Sequence, residues 1–268
     1  MQTIGAIILA IFTLVWVVPM VRGIVKAIDT FLRRIVSAVA VILAAVPAIL
    51  LAAPMIVQPE DVPSRFLPWT PVALDTEPDF ISRWKVRALT VNAEMCRAAL
   101  AETDSRLDFL SDAEDSENCH IRNRVRVGSL SRATMKPVSM RCEMAARLYM
   151  WERHALQDLA RTHLGTRVAR IEHYSAYSCR RMRTSRGTSS RWSQHATANA
   201  FDIAGFVMTD GRRVGLPKNW EGSSAEARFM RAVRDSLCNW FNVVLSPDYN
   251  ALHADHFHVD MGPFLSCR

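Results

Sequence analysis

No charged side chain occurs from Met1 to Val21, and none from Ile35 to Gln58. Each gap is about the length a helix needs, at roughly 1.5 Å per residue, to cross a hydrocarbon core about 30 Å thick. The first gap begins Met-Gln-Thr-Ile, without Lys or Arg, and is too long for the apolar centre of a cleaved leader, which argues against a signal peptide. Glycine and proline are scarce, ten and twelve in 268 residues, and this excludes collagen-like and low-complexity chains. Cysteine is missing from the first 95 residues, and the chain has no Cys-x-x-Cys pair, so a zinc ribbon or a thioredoxin-like site is not expected. No internal repeat is visible.

What is present divides by position. The two uncharged runs read as transmembrane helices over about 3–21 and 35–57, a two-helix hairpin within residues 1–58. The loop between them carries Arg22, Lys26, Arg33 and Arg34 against Asp29. Basic residues beside membrane segments stay in the cytoplasm, which places everything after Pro59 outside it. Four basic side chains against one acidic give this region +3, so only +4 of the total +7 belongs to residues 59–268. So small an excess does not point to nucleic acid.

All six cysteines, Cys96, Cys119, Cys142, Cys179, Cys238 and Cys267, lie in the exported part. An even count there predicts up to three disulfides, with fifteen pairings open. Residues 59–80 hold five prolines and read as an extended linker. Beyond it, helices are predicted over Ile81–Leu100 and Ser139–His163, and a third starts at a Ser223/Glu226 capping box. Short strands are predicted over Arg122–Val127, Arg167–Ile171, Asn242–Leu245 and His256–Met261, with the acidic stretch Asp104–Glu117 as a solvated loop. The expected class is α+β, with helices packed on a small antiparallel sheet.

Two stretches carry the chemistry: Ser193-Gln194-His195-Ala196-Thr197-Ala198-Asn199-Ala200-Phe201-Asp202, and His253-Ala254-Asp255-His256-Phe257-His258-Val259-Asp260. Residues two apart in a strand share a face, so His256 and His258 can converge. With His195 and Asp202 they make a borderline donor set suited to one Zn²⁺ ion, with a coordination position left open. Asp260 reads as a residue that orients a ligand or ends the strand.

These blocks, together with Tyr177-Ser178-Cys179-Arg180, Pro247-Asp248-Tyr249-Asn250 and the terminal Cys267-Arg268, resemble the extensin-like C-terminal domain family of bacterial envelope proteins. That family is in turn similar to the zinc peptidases of the lysostaphin, D-Ala-D-Ala metallopeptidase and Hedgehog superfamily. The resemblance covers roughly residues 90–268 and implies a domain over 81–268 with His195, Asp202 and His258 as metal ligands. It implies His256 or Asp255 as the base, and Ser193 and Arg180 as groups holding a substrate carboxylate. Ala198 stands where such peptidases usually carry Gly. The implied protein is an inner-membrane zinc peptidase, its C-terminal domain in the periplasm, cutting peptidoglycan stem peptides. The alternative is a non-catalytic zinc-containing cell-wall module.

Overall fold

One α-helix, α1 (Val18–Ile56), runs from the end of the first predicted span through the basic loop and the second span. The computed structural model describes residues 18–56, 63, 66, 67, 70–185 and 187–268. Most of the first predicted span therefore lies outside the described residues. Among those described, the two-helix hairpin is replaced by one helix. The reason is local: Arg22–Arg34 contains one glycine and no proline, and its remaining residues are compatible with a helix. Asp29 accepts a hydrogen bond from Arg33 one turn on, at 2.8 Å, so the charged stretch supports the helix instead of breaking it. Within α1, Met20–Ala48 is long and apolar enough to cross a membrane, and none of it is buried.

The chain forms two compact units, Met1–Pro63 and Ser64–Arg268. The second starts earlier than residue 81, because Val72 and Leu74 are buried in its core. Part of the proline-rich stretch is thus packed on the domain. The long helix expected over Ile81–Leu100 is two: α2 (Phe80–Ala88) and α3 (Ala93–Ala101). Asn92 separates them, its side chain accepting the Met95 N–H at 2.9 Å as an N-cap. The acidic stretch is not a plain loop. It contains β1 (Arg106–Phe109) and β2 (Ala113–Ser116), and β2 pairs with β3 (Cys119–Ile121).

β4 (Arg124–Ser129) and β5 (Thr134–Arg141) follow, so the next helix begins at Cys142 and not at Ser139. Pairing of β5 with β4 along most of its length overrides the helical spacing of Met140 and Met144. Helix α4 (Cys142–Trp151) continues through a π-turn, Glu152–Leu156, into α5 (Gln157–Leu164). All ten residues of α4 are buried. It runs through the core, where Trp151 packs against Phe206 at 6.4 Å between rings and donates Nε1–H to Ser236.

The remaining elements are β6 (Val168–His173), β7 (Arg181–Thr184), β8 (Gly187–Trp192), β9 (Ala200–Met208), β10 (Arg213–Gly215), α6 (Ala225–Leu237), β11 (Val243–Leu245), β12 (Phe257–Asp260) and β13 (Ser266–Cys267). Ser224, not Ser223, caps α6, its hydroxyl accepting the Ala227 N–H at 3.1 Å. Among the described residues the main sheet has nine strands in the order β1-β4-β5-β6-β9-β12-β11-β13, with β10 also on β9. It is mixed, not small and antiparallel, because β5 pairs parallel with β6 and β11 parallel with β13. The long excursion through α4 and α5 supplies the crossover that the first parallel pair needs. Gly205 lets β9 and β10 approach closely: a Cβ there would lie 2.7 Å from Gly215 Cα.

Three disulfides join Cys96 to Cys142, Cys119 to Cys179 and Cys238 to Cys267, and they use all six cysteines. The second ties β3 to the start of the β7–β8 hairpin. That hairpin pairs only within itself, as a separate two-stranded sheet.

Candidate metal centre

Strand register places two of the three predicted ligands. His258 on β12 lies directly opposite Asp202 on β9, and its Nδ1 is 2.9 Å from Asp202 Oδ1. His195 comes from the 3₁₀ turn Gln194–Thr197 just before β9. Ser193 starts that turn, its hydroxyl accepting the His195 N–H at 3.3 Å. Ala198 ends it in the left-handed region, φ 49°, and is fully buried. Ala198 is therefore a turn residue and is not among the residues that line the groove.

His195 Nε2 lies 3.1 Å from His258 Nδ1 and 3.2 Å from Asp202 Oδ1, closing a nearly equilateral triangle of donor atoms. Donors arranged tetrahedrally at roughly 2.0–2.1 Å around zinc lie about 3.3 Å apart, so the spacing fits such an ion. The outer hydrogen bonds fit it too. His195 Nδ1 faces the Ala176 carbonyl at 3.1 Å, and His258 Nε2 faces Asp260 Oδ2 at 3.0 Å. Both outer nitrogens carry protons for those acceptors, which leaves both inner nitrogens as lone pairs in the neutral rings. Two lone pairs and a carboxylate facing one point suit a cation. His195, Asp202 and His258 form the metal-capable group found among the described residues.

Without an ion, a proton takes that place. Burial opposes the charge on His258, but its hydrogen bonds to Asp202 and Asp260 outweigh burial and hold it up to about 9. Burial likewise works against the charge of Asp202. Hydrogen bonds from His195 and His258 prevail and keep its carboxyl well below the usual carboxylate range.

His256 precedes β12 and turns Nε2 toward the cluster, 3.7 Å from Asp202 Oδ1. Its Nδ1 is held by Asp255 Oδ1 at 2.8 Å, and Asp255 in turn accepts the Tyr174 hydroxyl at 3.0 Å. Asp255 thus stands behind His256. His253 also joins the site, with its ring centroid 5.3 Å from that of His256 and 5.9 Å from that of His258. Burial, with the neighbouring His258 and His256, pushes it down to about 4, so it is neutral at pH 7. Its Nδ1 donates to Asn250 at 2.8 Å.

The cluster opens into a groove of about 610 Å³. Arg180, Ser193, Tyr249, Leu252 and Phe264 are among the residues that line it. The histidine and aspartate positions were readable from the motif, and Asp260 from its same-face spacing with His258. The roles of Ala176 and Tyr174 were not, since one acts through a backbone carbonyl and the other reaches Asp255 across 81 residues of chain.

Residues 94–268 match the family described as extensin-like protein C-terminus. The chain belongs to the extensin-like family. No curated protein and no solved structure gives a significant match to it. The family match covers every residue of the cluster and all three disulfides, whereas α1, α2 and the proline-rich stretch precede it.

Proposed function

We propose that this extensin-like protein is a membrane-anchored zinc peptidase of the bacterial envelope, hydrolysing peptide bonds in peptidoglycan stem peptides. The observation that carries the reading is the convergence of His195 Nε2, Asp202 Oδ1 and His258 Nδ1, with His256 Nε2 beside them and with Asp202, His256 and His258 lining a groove. The similarity to zinc peptidases rests on the Ser-x-His-x6-Asp and His-x-His pattern, and the cluster supplies the donor chemistry that pattern calls for. A zinc ion held there supplies Lewis-acid polarisation of a carbonyl and acidification of water.

The chain's own groups do the rest. Asp255 takes the Nδ1–H of His256, so the neutral ring presents the lone pair of Nε2 toward the cluster. That atom accepts a proton from water as the acyl carbon is attacked, then returns it to the leaving amine. Geometry favours His256 over Asp255 as the proton carrier, with Asp255 and Tyr174 fixing its orientation.

The envelope assignment rests on two features. Basic residues Arg22–Arg34 lie at the N-terminal side of the uncharged stretch of α1, so the positive-inside rule sends the chain after Ile56 across the inner membrane into the periplasm. Three disulfides suit that oxidising compartment.

Digestion of purified muropeptides by the zinc-loaded chain and by His258→Ala tests the activity. New products from the first and none from the second are expected. Stoichiometric zinc without any turnover would instead favour a non-catalytic cell-wall module.

A further inference from the structure

Helix α2 carries apolar residues on two opposite sides. At about 100° per residue, Lys85, Val86 and Leu89 point one way, and all three are buried in the domain. Phe80, Trp84 and Arg87 fall on the other side, within an arc of about 60°. Phe80 is 85% exposed and Trp84 53%, and Val91, in the turn after the helix, is 86% exposed. Among the large apolar side chains described, only Leu265 is as open as Phe80 and Val91. Single exposed apolar residues are ordinary on a protein surface, whereas an aromatic pair one turn apart followed by a third apolar residue marks a contact face.

The face is held outward, because the other side of α2 is fastened to the domain. Lys85 Nζ donates to the Thr70 carbonyl at 3.1 Å and to its hydroxyl oxygen at 2.9 Å. Val72 and Leu74 are buried in the core, and Arg153 Nε donates to the Asp75 carbonyl at 3.0 Å. Both α2 and this segment precede residue 94, where the family match begins, so the face belongs to the connection between α1 and the family domain.

Three features specify what covers it. Thr70 follows Ile56 by only fourteen residues, at most about 50 Å when fully extended, so a bilayer crossed by α1 stays within reach. The nine residues of α2 include Arg83, Lys85 and Arg87 and no acidic residue, which complements anionic headgroups. Tryptophan beside arginine suits the membrane–water interface, where the indole ring sits at headgroup level. Pairing two copies through this face would set basic helix against basic helix, which disfavours a dimer there.

We infer that α2 docks on the membrane surface, with Phe80, Trp84 and Val91 inserted at headgroup level and Arg87 on lipid phosphate. The domain then has two attachments to the bilayer, the span and this face, and is held in one orientation against it. The inference rests on α1 crossing the membrane and is independent of the peptidase reading.

The test uses the full chain reconstituted in vesicles of phosphatidylcholine and phosphatidylglycerol. Extraction with alkaline carbonate first shows whether α1 spans the bilayer. Quenching by lipids brominated near the headgroup end or near the methyl end of the acyl chain then locates Trp84, whose emission is the difference between the native chain and Trp84→Phe. Stronger quenching by the headgroup-end bromines is expected. Phe80→Ser combined with Val91→Ser, two positions outside the core, is expected to lower the ratio of docked to free α2 about 10- to 100-fold. Arg87→Gln is expected to lower it about fivefold. Trp84 emission untouched by brominated lipid in chains that resist carbonate would overturn the inference and leave the anchor intact. Shielding of Trp84 from both brominated lipid and aqueous iodide would overturn it in favour of a protein partner. Release of the chain by carbonate would remove the anchor and the inference with it.

Discussion

Asp260 and His258 sit two residues apart on β12, and Asp260 Oδ2 takes the Nε2 side of the ring at 3.0 Å. This contact fixes which nitrogen of His258 faces Asp202 with a lone pair. Asp260 Oδ1 meanwhile accepts the Gly262 N–H at 2.7 Å, so the carboxylate is itself held in place. Asp260→Asn places an amide donor against Nε2 and drives the proton to Nδ1, the nitrogen a metal needs. Zinc affinity is expected to fall about 10- to 100-fold with the fold retained, as measured by competition with a chromophoric chelator.

The same histidine makes the metal-free protein sensitive to alkali. Its folded value of about 9 lies above the ordinary 6.5, so the folded state binds this proton more tightly than the unfolded chain. The stabilisation is fully present below pH 6.5 and is lost as the pH rises through 9. Chelator-treated protein is expected to lose roughly 3 kcal/mol between pH 6 and pH 10. His258→Gln should flatten that slope in thermal unfolding measured across the range.

Zinc and that proton compete for one place. Between pH 6.5 and 9, zinc affinity is expected to rise about tenfold per unit of pH, with close to one proton released per ion bound. Calorimetric titrations in buffers of different ionisation enthalpy report the proton count directly. A count of zero would mean that the ion binds elsewhere.

His256→Ala separates binding from turnover. Peptide hydrolysis is expected to fall about 10²- to 10⁴-fold while zinc stays bound. Asp255→Asn and Tyr174→Phe should cost less, because each acts on His256 through a hydrogen bond. Single-turnover rates beside metal content distinguish these effects.

The Cys119–Cys179 bridge spans 60 residues and anchors the β7–β8 hairpin. Replacing both cysteines by alanine is expected to lower stability by about 4 kcal/mol through loop-closure entropy. Faster hydrogen exchange over residues 180–192 than over β9 would show that the hairpin loosens first.

The sequence by itself singled out His195, Asp202 and His258 through the motif that carries the family resemblance, because the His-x6-Asp and His-x-His spacings are local and strands impose a two-residue period. It also determined the apolar N-terminal segment and the even set of six cysteines downstream of it, both of which rest on composition. Tertiary structure decided what local pattern leaves degenerate. The helical spacing of Met140 and Met144 yielded to sheet pairing along β5, and the basic stretch Arg22–Arg34 propagated a helix where a turn was expected. Fifteen cysteine pairings reduced to one only when α3, β3 and α6 were placed in space. The proton that a metal must displace likewise depends on Asp260 and Ala176 lying behind the two histidines, and distance in the fold sets that contact.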